Sequence, residues 1–167
     1  MHIEEVKLTK ENLIKIKEID NTFYTKENIS LDWYLERYTE KHSPILLLDK
    51  DEIVGYIISV PIKKELYDTI INGVIINDLQ INPQMFIDES EYYYIVSCVI
   101  LEKYRSKGYA SKMLEKILNK EKKYCALTIT TSGYHLVEKY MNFKVNVYKD
   151  INVFTRNNIK ENIWNST

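Results

Sequence analysis

Arg105, Lys107, Gly108 and Ala110 lie within one short run, Tyr104-Arg105-Ser106-Lys107-Gly108-Tyr109-Ala110, at the point where a helical pattern begins. Gly108 and Ala110 have no side chain or a minimal one, so a ligand can approach the main chain there. The N–H groups of a helix's first turn have no partner inside the helix, and together with the helix dipole they attract anions. Arg105 and Lys107 add charge-assisted contacts. The main chain from Arg105 to Ser111 is therefore the candidate seat of a phosphate-bearing ligand, and a diphosphate fits it.

Such a site needs a strand to deliver the chain and a helix to receive it. Tyr92 to Leu101 is a nearly continuous apolar and aromatic run, which predicts a strand covered on both faces. Ala110, Met113, Leu114, Ile117 and Leu118 fall at i, i+3, i+4, i+7 and i+8, one face of a helix. Tyr124 to Thr130 then predicts a strand parallel to the first, through a crossover connection. Upstream, residues 3 to 8 predict a first strand. Thr9 caps a helix bearing Leu13, Ile16 and Ile19. Ser30 caps a second, with Leu31, Tyr34, Leu35 and Tyr38 inward and Asp32, Glu36 and Arg37 outward. Ile45 to Leu48 and Ile53 to Val60 predict a hairpin that Pro61 ends or bulges. Residues 62 to 91 read as an insertion, strand-like from Ile70 to Ile81. Ser132 caps a last helix to about Met141, Phe143 to Phe154 gives one or two closing strands, and the tail Asn157 to Thr167 suits a short docking helix.

R-x-x-G-x-A in this setting resembles the Q/R-x-x-G-x-G/A acyl-CoA signature of the GNAT superfamily. With five Gln or Arg, four Gly and two Ala in the chain, about 0.004 chance matches are expected. The element order also resembles that family over nearly the whole length. The resemblance implies a single domain of α/β (α+β) class over residues 1 to 167. It implies a central mixed, twisted sheet of six to seven strands, with about four helices on both faces, splayed at its two central parallel strands. It further implies acetyl-CoA as acyl donor and no metal. The pantetheine arm would pair with the main chain of Cys98, Val99 and Ile100, and the diphosphate would sit on Arg105, Ser106, Lys107, Gly108, Tyr109, Ala110 and Ser111. The implied reaction is attack of a primary amine on the thioester in a ternary complex. The alternative is a GNAT-fold acyl-CoA-binding module without turnover.

The catalytic positions depart from the family pattern. In histone-acetylating members a glutamate base stands eleven residues before the first signature residue, and Tyr94 occupies that position here. A phenol is a poor base at neutral pH, so proton removal falls to Glu91 or Asp78. The thiol acid of an L-Y-x-x-x-G-F segment is also missing: Glu138 takes the tyrosine's place. Tyr134 and Tyr140, a turn or less away, are the candidates, with Tyr140 favoured, and His135 is a further proton carrier. Cys98 as a thioester-forming nucleophile is the rival reading of that strand.

Acids and bases nearly balance, 24 against 23, which gives no reason to expect a nucleic-acid partner. Apolar stretches are too short to cross a bilayer and the first twenty residues lack a signal-peptide core. These features predict a cytoplasmic protein with no membrane partner. Cys98 and Cys125 lie in apolar runs and suit buried thiols. Residues 62 to 91 hold six acids against two lysines, an acidic region that favours a cationic amine such as a polyamine, an aminoglycoside or a basic peptide. Alternation sends Tyr92 and Tyr94 to one sheet face, where an acceptor pocket can form, and Tyr93 to the other. Exposed closing strands, as in the family, are compatible with a homodimer.

Overall fold

A computed structural model describes residues 1–24, 29–118 and 121–157. The strands are β1 (His2–Glu5), β2 (Ile45–Asp49), β3 (Glu52–Pro61), β4 (Tyr92–Ile100), β5 (Lys123–Thr128), β6 (Asn142–Tyr148) and β7 (Ile151–Asn157). The helices are α1 (Lys10–Phe23), α2 (Leu31–Arg37), α3 (Lys64–Ile71), α4 (Tyr109–Leu118) and α5 (Thr131–Val137). All seven strands form one sheet in the order β1-β2-β3-β4-β5-β7-β6, parallel only between β4 and β5. The predicted tail helix falls largely on residues outside the described ones.

Each face of the sheet carries its own core. Leu13, Ile16 and Ile19 of α1, Tyr34 of α2, and Leu66, Tyr67 and Ile70 of α3 pack on one face. Met113, Leu114, Ile117 and Leu118 of α4 and Val137 of α5 pack on the other. The β4 side chains divide as alternation requires, with Tyr92 and Tyr94 toward the first core and Tyr93 and Ile95 toward the second.

Helix starts follow side-chain caps. Thr9 Oγ1 accepts from Asn12 N at 3.1 Å and Ser30 Oγ from Trp33 N at 3.3 Å, as read from the sequence. The last helix is capped by Thr130, whose Oγ1 accepts from Gly133 N at 3.0 Å, and not by Ser132. The strand-like stretch Ile70 to Ile81 forms no strand: it begins in the last turn of α3, where Leu66, Tyr67 and Ile70 share a helical face against the sheet, and runs on through Gly73 (φ 73°) to a 3-10 turn. Two 3-10 turns, Asp78–Gln80 and Pro83–Met85, fill most of the remaining insertion. On α2, Leu35 points outward at 43% exposure and Arg37 is buried at 7%. The guanidinium of Arg37 lies 4.2 Å from the Trp33 ring centroid and donates to the carbonyls of Trp33 and Ile81, which makes burial of the charge tolerable.

Candidate functional site

β4 and β5 are paired only from Tyr92↔Lys123 to Ile95↔Ala126. Beyond that point the strands part, and β4 continues to Ile100 while still held by β3 on its other edge. The β3–β4 register jumps from Ile58↔Ser97 to Ser59↔Ile95, so Val96 is an extra residue on β4. Such a bulge re-aims the side chains around it. Val96 and Ser97, consecutive in sequence, both face the same cleft as a result. Pro61 ends β3 three residues beyond the break.

Where β4 ends, Arg105, Ser106, Lys107 and Gly108 are exposed. Ser106 (φ 60°) and Gly108 (φ 78°) are both left-handed. Such residues turn successive N–H groups toward a common centre, a concavity that takes anions. A Cβ built on Gly108 would meet nothing within 4 Å, so glycine serves here to hold the positive φ and leave the approach open, not to allow packing. Lys112 N donates to Gly108 O at 3.2 Å as α4 begins, and the first turn of α4 carries no acid. Tyr109, Ala110 and Ser111 are half-buried in that turn. Arg105 Nε donates to the Ile100 carbonyl at 2.7 Å, tying the turn back to the open part of β4. Its guanidinium lies 5.4 Å from the Phe23 ring centroid. Cys98 is half-buried in the same stretch, and burial pushes its thiol up to about 12, leaving scarcely any thiolate at neutral pH.

Across the sheet from α4 a cleft opens over the parting strands, holding about 980 Å³ of empty space, part of it continuous with solvent. Asp20, Tyr56 and Tyr34 form one wall. The phenols of Tyr34 and Tyr56 each donate to one carboxylate oxygen of Asp20, and Tyr56 also reaches Ser97 Oγ at 2.9 Å. Burial raises the Asp20 carboxyl above its usual range, and the two phenol hydrogen bonds oppose that shift. Tyr24 lines the cleft with its phenol pushed up to about 12, chiefly by burial. The Trp33 indole N–H is buried and has no hydrogen-bond partner among the described residues.

The opposite wall carries Asp78, which receives a hydrogen bond from the Tyr94 phenol. Asn77 Oδ1 accepts from Leu79 N at 2.8 Å, and Gln80 Oε1 accepts from Ile76 N at 2.8 Å and Asn77 N at 3.2 Å, so the turn bearing Asp78 is pinned on both sides. Burial first, then the Asp78 charge and hydrogen bond, hold the Tyr94 phenol far above the ordinary range for tyrosine. Tyr94 is therefore a fixed donor at neutral pH and Asp78 is the group beside it able to take a proton.

The other predicted residues lie apart from this cleft. Glu91 precedes β4 at the paired end of the strands, with Lys123 Nζ 3.6 Å away. Of the remaining acids in residues 62 to 91, Asp68 and Asp88 pair with Lys64 and Lys41, leaving Asp78 as the only one of the six that lines the cleft. Tyr140 donates to Glu115 Oε1 at 2.8 Å, and Tyr134 packs edge-on against Phe154, both on the α4 face. His135 pairs with Glu138 at 2.8 Å on the surface of α5. Asp20 escaped the sequence reading although its signal was present: it follows Leu13 and Ile16 on the buried stripe of α1, where an acid is out of place.

Three comparisons bear on this geometry. The model of the Acetyltransferase (GNAT) family matches residues 13–143. No curated protein matches the chain. Among solved structures, the loading GNATL domain of CurA from Lyngbya majuscula is 12% identical, with a TM-score of 0.68 over 94% of this chain and 98% of that one. The ribosomal-protein-S18-alanine N-acetyltransferase of Escherichia coli is 9% identical, with a TM-score of 0.68 over 99% and 100%. The PaiA N-acetyltransferase of Thermoplasma acidophilum, solved in complex with coenzyme A, is 14% identical, with a TM-score of 0.55 over 94% and 99%. At such identities the likeness is one of fold.

Proposed function

The chain belongs to the GNAT acetyltransferase family, and from that premise we propose that it transfers the acetyl group of acetyl-CoA to a primary amine of a small molecule or peptide. The observation that carries this reading is the continuity of one segment. The edge of β4 released from β5 beyond Ile95 runs through Ile100 into the Ser106–Gly108 turn and the first turn of α4. An extended pantetheine arm hydrogen-bonds along the main chain of Cys98, Val99 and Ile100, and the diphosphate settles on Arg105 to Ser111. Basic side chains from Lys103 to Lys112 neutralise the phosphates.

The thioester then lies at the parting of β4 and β5, with the cleft on its other side. An amine enters as its ammonium and must lose a proton before its nitrogen can attack. Asp78 takes that proton, directly or through one water, while the Tyr94 hydrogen bond fixes the carboxylate. As the nitrogen–carbon bond forms, the carbon–sulfur bond breaks, the thiolate accepts a proton and the nitrogen gives up its second proton to water, so that one proton is released in all. Tyr134 supplies the thiolate's proton: Tyr134 lies one turn before Glu138, the position of the family's tyrosine, whereas the Tyr140 hydroxyl is engaged by Glu115. Positioning of the two reactants supplies the rest.

Isothermal titration tests the donor site. Two or three main-chain hydrogen bonds to pantetheine, each contributing about 1 kcal/mol, make acetyl-CoA and CoA bind roughly 100-fold more tightly than inorganic pyrophosphate. Equal affinity for pyrophosphate would overturn the assignment.

A further inference from the structure

The cleft also limits the acceptor, and this inference rests on the transferase reading above. Among the described residues its lining holds no Lys, Arg or His, and its carboxylates are Asp20 and Asp78. Asp20 is buried with a phenol on each of its oxygens, so it contributes negative potential while its burial keeps a ligand from direct contact. Asp78 is half-buried where Asp20 is buried, so it is the more accessible of the two carboxylates to an ammonium.

The rest of the wall is mostly carbon. Ile29, Trp33, Ile76 and Leu127 line it together with Leu79 and Ile129, which are 55% and 47% exposed and so stand at its rim. Exposed apolar residues scattered over a surface mean little, but two at the edge of an aromatic cleft that leads to an acid form a graded surface. A ligand with one ammonium and an apolar body satisfies both ends of it. A polyamine or aminoglycoside would instead press further charges or hydroxyls against the aliphatic carbon of Ile76, Leu79, Leu127 and Ile129.

We infer that the acceptor is a small primary monoamine carried on an apolar, aliphatic or aromatic body, with its nitrogen at Asp78 and its body along Trp33, Leu79 and Ile129. The broad acidic surface read from residues 62 to 91 reduces, at the cleft, to this single acid.

The test separates ligand choice from catalysis. The full chain, saturated with CoA, is titrated calorimetrically with n-propylamine through n-hexylamine, with spermidine, and with a tripeptide bearing an N-terminal alanine. Acetyl transfer to each is followed separately by free thiol. The expected result is a Kd falling about fourfold per methylene, with spermidine and the tripeptide each at least about tenfold weaker than hexylamine. A flat alkylamine series, or tighter binding of spermidine or the tripeptide, overturns the inference. Leu79→Glu, at an exposed position that tolerates charge, reduces the preference for hexylamine over spermidine about tenfold; an unchanged ratio also counts against it. A steep binding series without thiol release contradicts the transferase reading alone. Thiol release with spermidine but no alkylamine contradicts the acceptor class alone.

Discussion

Replacing Gly108 separates backbone strain from ligand repulsion, because the two have different sizes and appear in different assays. Gly108 has φ 78°, and a non-glycine residue held there costs about 1–2 kcal/mol. No atom lies within 4 Å of where a Cβ would stand, so steric clash adds nothing in the free protein. Gly108→Ala and Gly108→Glu are therefore each destabilised by about 1–2 kcal/mol, a loss that a domain of ordinary stability survives. Affinity for CoA separates them. The methyl group intrudes on the approach of the diphosphate and weakens binding about tenfold. The glutamate adds a negative charge about 5 Å from the phosphates, which at an effective dielectric near 20 amounts to about 3 kcal/mol per unit charge before screening by salt. At low ionic strength Gly108→Glu thus binds CoA about 100-fold more weakly than Gly108→Ala and about 1,000-fold more weakly than wild type, and added salt narrows the gap between the two variants. Urea denaturation gives the stabilities and titration calorimetry the affinities. A folded Gly108→Glu with wild-type affinity, or equal losses in the two variants at low salt, would refute the anion site.

Three further outcomes follow from the cleft and the first core. Asp78→Asn keeps an acceptor for the Tyr94 phenol but cannot take a proton, so kcat falls about 10²–10⁴-fold while the acetyl-CoA Kd stays within about twofold; a kcat within about threefold of wild type removes Asp78 from the chemistry. Tyr34→Phe leaves the buried Asp20 carboxylate one donor short and destabilises the fold by about 1.5–3 kcal/mol, read by urea denaturation. His42 is buried with Nδ1 accepting from Thr39 N and Nε2 facing the Ile87 carbonyl, and burial depresses its pKa below 6.5. The unfolded chain binds that proton more readily, so His42's contribution is complete above about pH 6.5 and is lost as pH falls from there toward the lower folded value. Asp20 acts in the opposite sense, since its raised pKa favours the fold as pH falls toward 3.8. In His42→Gln the decline in unfolding free energy between pH 7 and 5 is shallower than in wild type; an unchanged slope would exclude His42 as its source.

Much of the frame could be read from local pattern. β4, α4 and β5 follow one another with unmistakable periodicity, and the Arg105–Ala110 spacing marks the turn between them. What local pattern could not supply was partnership across the fold. Tyr94 and Asp78 are 16 residues apart, and Asp20 meets Tyr56 at a separation of 36. The bulge at Val96 has no composition cue, because it arises from the β3 register. Arg37 looked like a surface residue since helical charge usually is, yet a carbonyl 44 residues away and an aromatic face draw it inward. Thr130 caps α5 in preference to Ser132 because β5 ends at Thr128 and the chain turns at once. Asp20 interrupts an apolar stripe, and that interruption was legible as a sign of a polar partner.

An acetyltransferase must pass the acetyl group of acetyl-CoA to an amine. The most direct measurement is to incubate the full chain with acetyl-CoA and n-hexylamine and quantify both N-acetylhexylamine by mass spectrometry and free CoA thiol. Equal amounts of amide and thiol are expected, with no thiol released when amine is omitted and little from Asp78→Asn. Thiol release independent of amine, or tight CoA binding with no amide from any amine, would contradict acetyl transfer to an amine.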